Sequence, residues 1–144
     1  MEKAKATAFS NSKEFDETKF KSQFKEYLDY SIGFITRGCF RKCGFCVNQK
    51  YDHVFKHSPL TEFFDKSRKK LCFLDDNFFG CPQWKTMLEE IIATNRLFKF
   101  KQGLDERILT RDKAEMLFNA KYDGDYTFAF DKVSDYNLKT PRCT

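Results

Sequence analysis

Three cysteines lie close together in the first third of the chain, at Cys39, Cys43 and Cys46. Thiolates are soft ligands that suit zinc and iron–sulfur clusters, and the spacing Cys-x3-Cys-x2-Cys lets three of them face one centre. Gly38 and Gly44 allow the backbone to bend sharply around these ligands. A closed structural site needs four protein ligands, whereas a catalytic site leaves one position open. The count of three therefore indicates a metal centre that takes part in chemistry.

The other candidate site residues follow short apolar runs that are typical of buried strands. Such runs at residues 32–36, 71–74, 97–100 and 126–130 predict strands, with a helix in each interval between them. Repeated strand–helix units predict parallel strands, and a barrel built from such units has its site at their carboxyl ends. We therefore expect the cysteine loop to meet the polar residues that follow the later strands: Asp75, Asp76, Asn77, Asp105 and Asp131.

Apolar residues at helical spacing predict the helices that must support these strands. A lead-in helix is predicted within 13–30, where aromatic residues recur at intervals of three and four. A Ser-Pro pair predicts a helix start at 58, with the helix running to about 68. The clearest amphipathic pattern covers 84–92, and Thr110 is a suitable N-cap for a last helix.

The cysteine loop and the strand before it resemble the radical S-adenosylmethionine (radical SAM) superfamily. Phe45 occupies the aromatic position before the third cysteine, and residues 73–78, 102–105 and 129–131 look like the later strand ends of one bacterial branch. The resemblance covers about residues 30–131. It implies an α/β fold with a partial (βα) barrel of about four parallel strands. Because the family core normally has more strand–helix units, the resemblance also implies a truncated barrel.

The resemblance implies a cofactor and a reaction. Cys39, Cys43 and Cys46 would bind three irons of a 4Fe–4S cluster, and S-adenosylmethionine (SAM) would chelate the fourth iron. An electron from the reduced cluster would cleave SAM to methionine and a 5'-deoxyadenosyl radical, which abstracts hydrogen from a substrate. The electron donor would be a protein such as a flavodoxin or a ferredoxin.

The resemblance also assigns contacts with SAM to the residues after the cysteines. Phe45 would lie beside the adenine, and residues 75–77 would recognise the amino group. Asp131 would lie near the ribose, and Asp105 would belong to the same cofactor site at the end of the third strand. A second chain that completes the barrel is a further expectation.

Zinc is the main alternative to a cluster, with His53 or Cys72 as the fourth ligand beside the three clustered cysteines. The chain would then be a non-catalytic metal-binding module, or a fragment of a larger enzyme. Asp is also common in ordinary strand-end turns, which is the alternative interpretation of Asp75 and Asp76. The alternative for Asp105 is a surface ion pair with Arg107.

Composition narrows the function classes. The 26 Lys and Arg against 21 Asp and Glu give a net charge of +5, which favours anionic ligands and leaves RNA binding as a weaker third interpretation. No apolar run is long enough to span a membrane, and the amino terminus lacks the apolar segment of a signal peptide, which favours the cytoplasm. We expect a segment with the lead-in helix at 1–30, the core at 31–131 and a tail at 132–144.

Overall fold

A parallel sheet lies at the centre of the computed structural model, which describes residues 16–129. In that part of the chain the strands are β1 (Tyr30–Gly33), β2 (Thr36–Arg37), β3 (Phe55–Lys56), β4 (Lys70–Phe73) and β5 (Leu97–Phe100). The parallel sheet has the order β1-β4-β5, and β2 and β3 form a separate antiparallel pair. The protein is therefore a mixed α/β fold.

Helices lie before, between and after the strands of the sheet. The α-helices described are α1 (Glu17–Gln23), α2 (Trp84–Ala93) and α3 (Arg111–Phe118). Short 3-10 helices occur at Lys25–Tyr27, Val47–Lys50, Leu60–Glu62, Phe78–Gly80 and Glu106–Ile108. No helix within residues 16–129 is long and apolar enough to cross a membrane.

The hydrophobic core lies between α2 and one face of the parallel sheet. Phe73 and Phe98 are fully buried in neighbouring strands, as are Leu88 and Ile91 on α2, and all four belong to one cluster. Fully burying an apolar side chain of this size stabilises the fold by about 1.5–3 kcal/mol. This core holds the carboxyl ends of β4 and β5 in a fixed relation to each other.

The structure confirms four of the predicted elements. The strands predicted at 71–74 and 97–100 are β4 and β5, the amphipathic pattern at 84–92 is α2, and Thr110 is the N-cap residue of α3. These elements follow from local periodicity, since Met87, Leu88 and Ile91 are buried on one side of α2, although Ile92 is exposed.

The strand predicted at 32–36 is divided in two. β1 pairs with β4 only as far as Gly33, and β2 begins at Thr36 and pairs with β3 instead. The reason is the side chain of Asp75, which accepts hydrogen bonds from the backbone N–H groups of Ile35 and Thr36. These two N–H groups are thereby satisfied without a neighbouring strand.

The predicted helices at 58–68 and 13–30 are shorter than expected. The first is reduced to a 3-10 turn at Leu60–Glu62, because Asp65 accepts hydrogen bonds from the backbone N and the hydroxyl of Ser67 at 2.8 and 2.7 Å. Such local side-chain bonds compete with helix formation. The lead-in helix is α1, followed by a 3-10 turn at Lys25–Tyr27.

The fourth strand, predicted at 126–130, is present only as isolated bridges up to residue 129. Phe128 forms a parallel bridge with Leu104, and Tyr122 forms another with Phe98 in β5. The chain after α3 therefore runs parallel to β5 and beyond it without forming a continuous strand. The described residues form an open sheet and not a closed barrel.

Candidate functional site

All three clustered cysteines line one cavity at the carboxyl ends of β4 and β5. The cavity has a volume of about 210 Å³. Its wall combines the cysteine loop with the segments that follow the two strands, and consists of Cys39, Arg41, Cys43, Phe45, Cys46, Asn48, Asp76, Asn77, Gln102, Gly103, Asp105, Arg107 and Ala129. The structure thus brings together seven of the predicted site residues: the three cysteines, Phe45, Asp76, Asn77 and Asp105.

The thiols of the cysteine loop are half-buried and receive hydrogen bonds from the protein. Cys39 Sγ accepts from the backbone N of Arg41 at 3.4 Å and lies 3.5 Å from Nδ2 of Asn77. Cys46 Sγ accepts from the backbone N of Asn48 at 3.4 Å and so caps the 3-10 helix that follows. N–H groups directed at sulfur favour negative charge on that sulfur, as a metal-bound thiolate requires.

Asp76 joins the end of β4 to both ends of the cysteine loop. One carboxylate oxygen accepts from the backbone N of Gly38 at 3.2 Å, and the other accepts from Nδ2 of Asn48 at 2.8 Å. Asn48 was not predicted as a site residue, because its partner lies 28 positions later in the sequence. Its place two residues after Cys46 was the available signal.

Asp105 holds two arginines at the cavity wall. Its carboxylate is 5% exposed and accepts from Nε of Arg107 at 2.7 Å and from Nε of Arg41 at 2.8 Å. Burial alone would raise the pKa of Asp105, but the hydrogen bonds from the two guanidinium groups outweigh burial and lower the pKa below its ordinary value. Asp105 is therefore a carboxylate that orients two cations, and Arg41 belongs to the cysteine loop itself.

Asn77 has a buried polar atom with an unused bonding capacity. Its side chain is 5% exposed, and its Oδ1 has no hydrogen-bond partner among the described residues. Its Nδ2 lies between Cys39 Sγ and Asp105 Oδ2, at 3.5 and 3.4 Å. A buried acceptor without a partner costs free energy unless a ligand supplies a donor. The cavity wall therefore fits a ligand that carries an N–H group.

Asp75 does not reach the cavity. It is 3% exposed and its carboxylate points to the corner between β1 and β2, where it accepts from Ile35 and Thr36. Burial raises the pKa of Asp75 above its ordinary value, although these hydrogen bonds act in the opposite direction. Asp75 therefore has an internal bonding role at this corner and is not among the residues that line the cavity.

The remaining predicted positions are divided between exposed, buried and undescribed parts of the chain. Phe45 lines the cavity with 75% of its surface exposed, so its ring is available to a ligand. Asp131 lies outside the described residues. Neither proposed fourth zinc ligand lines the cavity: Cys72 is buried in β4, and His53 is exposed and contacts Asp52.

The spacing of the cysteines and carboxylates on the cavity wall bears on whether a single metal ion or a 4Fe–4S cluster would fit there. Within residues 16–129 no three His, Cys, Asp or Glu side chains are close enough to ligate a single metal ion. A 4Fe–4S cluster takes each thiolate on a different iron, so its ligands stand farther apart than those around one ion. Three cysteines on one cavity wall suit the wider ligand spacing of a 4Fe–4S cluster.

The chain matches no protein-family model, no curated protein and no solved structure.

Proposed function

We propose that the protein is a radical SAM iron–sulfur protein. The observation that carries this proposal is the cavity at the carboxyl ends of a parallel sheet, because all three cysteines of the Cys-x3-Cys-x2-Cys segment line it. Three thiolates leave one position of a 4Fe–4S cluster open, which is the arrangement of a reactive centre and not of a closed structural site.

Cys39, Cys43 and Cys46 would hold the cluster, and the wall beside them would hold SAM. Asn77 is suited to the amino group of SAM, because its buried Oδ1 needs a donor. Phe45 offers an exposed ring on which an adenine can stack. By the resemblance, Asp131 would lie near the ribose.

When bound by these cysteines, the cluster would supply the electron for reductive cleavage of SAM to methionine and a 5'-deoxyadenosyl radical, which would abstract hydrogen from the substrate. The protein's contribution is to bind and orient. The N–H groups of Arg41 and Asn48 are directed at two of the thiols, and Asp105 fixes two guanidinium groups on the wall.

The open sheet supports a partial (βα) barrel as the finer description of the fold. The bridges of Tyr122 and Phe128 continue the sheet beyond β5 in the parallel sense, as a fourth barrel strand would. In this proposal a second chain completes the barrel, and the electrons come from a flavodoxin or a ferredoxin.

Anaerobic reconstitution tests the proposal. The full chain is incubated with iron and sulfide, the bound iron and sulfide are quantified, and the reduced protein is examined by electron paramagnetic resonance with and without SAM. We expect about four irons per chain, a change of the signal when SAM is added, and formation of 5'-deoxyadenosine.

Cys46→Ala and Cys72→Ala are the matched variants. Loss of the cluster in Cys46→Ala and its retention in Cys72→Ala would support the assignment. Stoichiometric zinc without iron uptake would replace it with the zinc module, and a cluster that depends on Cys72 would contradict the ligand set.

A further inference from the structure

Asp76 makes two hydrogen bonds that enclose the whole ligand segment. Its Oδ2 accepts from the backbone N of Gly38, the residue before Cys39, at 3.2 Å. Its Oδ1 accepts from Nδ2 of Asn48, two residues after Cys46, at 2.8 Å. Both carboxylate oxygens are therefore engaged by the protein itself, and one side chain at the end of β4 joins the beginning and the end of the cysteine loop.

Two further observations show that the loop is held at defined points. Gly38 has a φ of +90°, and a Cβ at this position would lie 2.4 Å from the backbone O of His53. The backbone before Cys39 is thus confined to a conformation that favours glycine. In the middle of the loop, Nε of Arg41 donates to Asp105 at 2.8 Å, which ties the loop to the segment after β5.

We propose that Asp76 is a positioning residue that fixes the cysteine loop over the sheet. This assignment departs from the resemblance, which implied that residues 75–77 share the recognition of the amino group of SAM. Of the three, Asn77 is the residue with an unused buried acceptor among the described residues, whereas each oxygen of Asp76 accepts a hydrogen bond from a residue that flanks the cysteine loop.

A positioning residue reduces the conformational freedom that the cysteine loop must lose when a metal binds. A loop that is already held with its thiols along one wall loses less conformational freedom when a ligand binds, and its affinity is correspondingly higher. The effect of Asp76 on metal binding rests on the proposed function. Its hold on the loop is a property of the metal-free protein and can be tested there.

Hydrogen exchange in the metal-free full chain provides the first test. The variants are Asp76→Ala, Asn48→Ala and the double variant, with Glu89→Ala on the exposed side of α2 as the control. We expect exchange of the Gly38 amide to be about tenfold faster in Asp76→Ala, because the amide loses its acceptor. Glu89→Ala should exchange as the wild type does.

Iron uptake and SAM binding provide the second test. A positioning role predicts that Asp76→Ala and Asn48→Ala both slow cluster incorporation, and that the double variant is no worse than Asp76→Ala alone, because the two residues act through one hydrogen bond. Asn48→Ala keeps the carboxylate, so it remains informative if Asp76→Ala does not fold.

Two outcomes would contradict these proposals. If Asp76→Ala leaves Gly38 exchange and cluster content unchanged and lowers only the affinity for SAM, Asp76 is a SAM ligand and the inference is overturned. If the wild type takes up no cluster, the proposed function fails, and the exchange measurement still decides whether Asp76 holds the loop.

Discussion

Thr36 donates two hydrogen bonds to the same carboxylate oxygen of Asp75, from its backbone N at 2.7 Å and from its hydroxyl at 2.6 Å. The other oxygen accepts from the backbone N of Ile35 at 3.1 Å. Asp75 lies two residues after β4, so this buried carboxylate joins the end of β4 to the corner between β1 and β2. The cysteine loop begins three residues after Thr36, and its base is thereby attached to the central strand.

Replacing this carboxylate should destabilise the fold. In Asp75→Asn the amide nitrogen would face at least one N–H donor, so a buried hydrogen bond is lost. We expect the free energy of unfolding to fall by about 1–3 kcal/mol, measured by urea denaturation. Asp112→Asn, at an exposed position of α3, is the control. Equal stability of the two variants would contradict the bonding role of Asp75.

Two glycines of the cysteine loop should respond differently to alanine. At Gly38 the φ of +90° and the approach of a Cβ to within 2.4 Å of the His53 backbone O exclude a side chain, whereas a Cβ at Gly44 would meet nothing within 4 Å. We expect Gly38→Ala to lower the free energy of unfolding by about 1–3 kcal/mol or more and to reduce cluster uptake. Gly44→Ala should change stability by less than about 0.5 kcal/mol, so similar thermal midpoints for the two variants would contradict the prediction.

The thiols should differ in reactivity in the metal-free protein. Cys72 and Cys81 are each 1% exposed, and burial raises the pKa of both thiols, whereas the three loop cysteines are half-buried. Because the thiolate is the reactive form, we expect alkylation of Cys72 and Cys81 by iodoacetamide to be at least about tenfold slower. Peptide mass spectrometry over a time course measures these rates. Alkylation of Cys72 as fast as that of Cys39 would contradict its burial.

A polar cluster beside β4 should make stability depend on pH. Asp123 accepts from the hydroxyl of Tyr30 and from Nζ of Lys70, the latter at 3.0 Å. Burial opposes ionisation of Asp123, but these two donors outweigh burial and lower its pKa below the ordinary value of 3.8. A carboxyl with a lowered pKa stabilises the folded state above the ordinary value, and this contribution is lost as the pH falls through the folded pKa.

The measurement for this cluster is the difference in unfolding free energy between the wild type and Asp123→Asn. We expect about 1–2 kcal/mol at pH 7, no change down to about pH 5, and a decrease below about pH 4. In a Tyr30→Phe background the difference should be smaller throughout. A difference that stays constant to pH 2 would show that Asp123 does not titrate as its contacts imply.

Local patterns were sufficient for the elements that support the site. Apolar side chains recur at intervals of three and four within residues 84–92, as in a helix. The short apolar runs before and after this segment are β4 and β5. The expectation that polar residues after these strands meet the cysteine loop also needed only the parallel arrangement. It holds for Asp76, Asn77 and Asp105, which line the cavity with the cysteines.

Features that depend on distant partners were not predictable from local patterns. The split between β1 and β2 is caused by Asp75, about 40 positions later, and no property of residues 32–36 indicates it. The same applies to Asn48, whose acceptor is Asp76. The helix expected at 58–68 had suitable capping residues, but the side chain of Asp65 bonds to its own neighbours instead.

The charges on the cavity wall have a consequence for how molecules reach it. Arg41 and Arg107 are matched in number by Asp76 and Asp105, so the wall adds no net charge to the protein's total of +5. Any dependence of the encounter rate on ionic strength should therefore come from the protein's net charge and from ionised thiols, and not from the paired charges of the wall. Ligands of like charge are then distinguished at contact, by the thiols and the buried amide oxygen of Asn77.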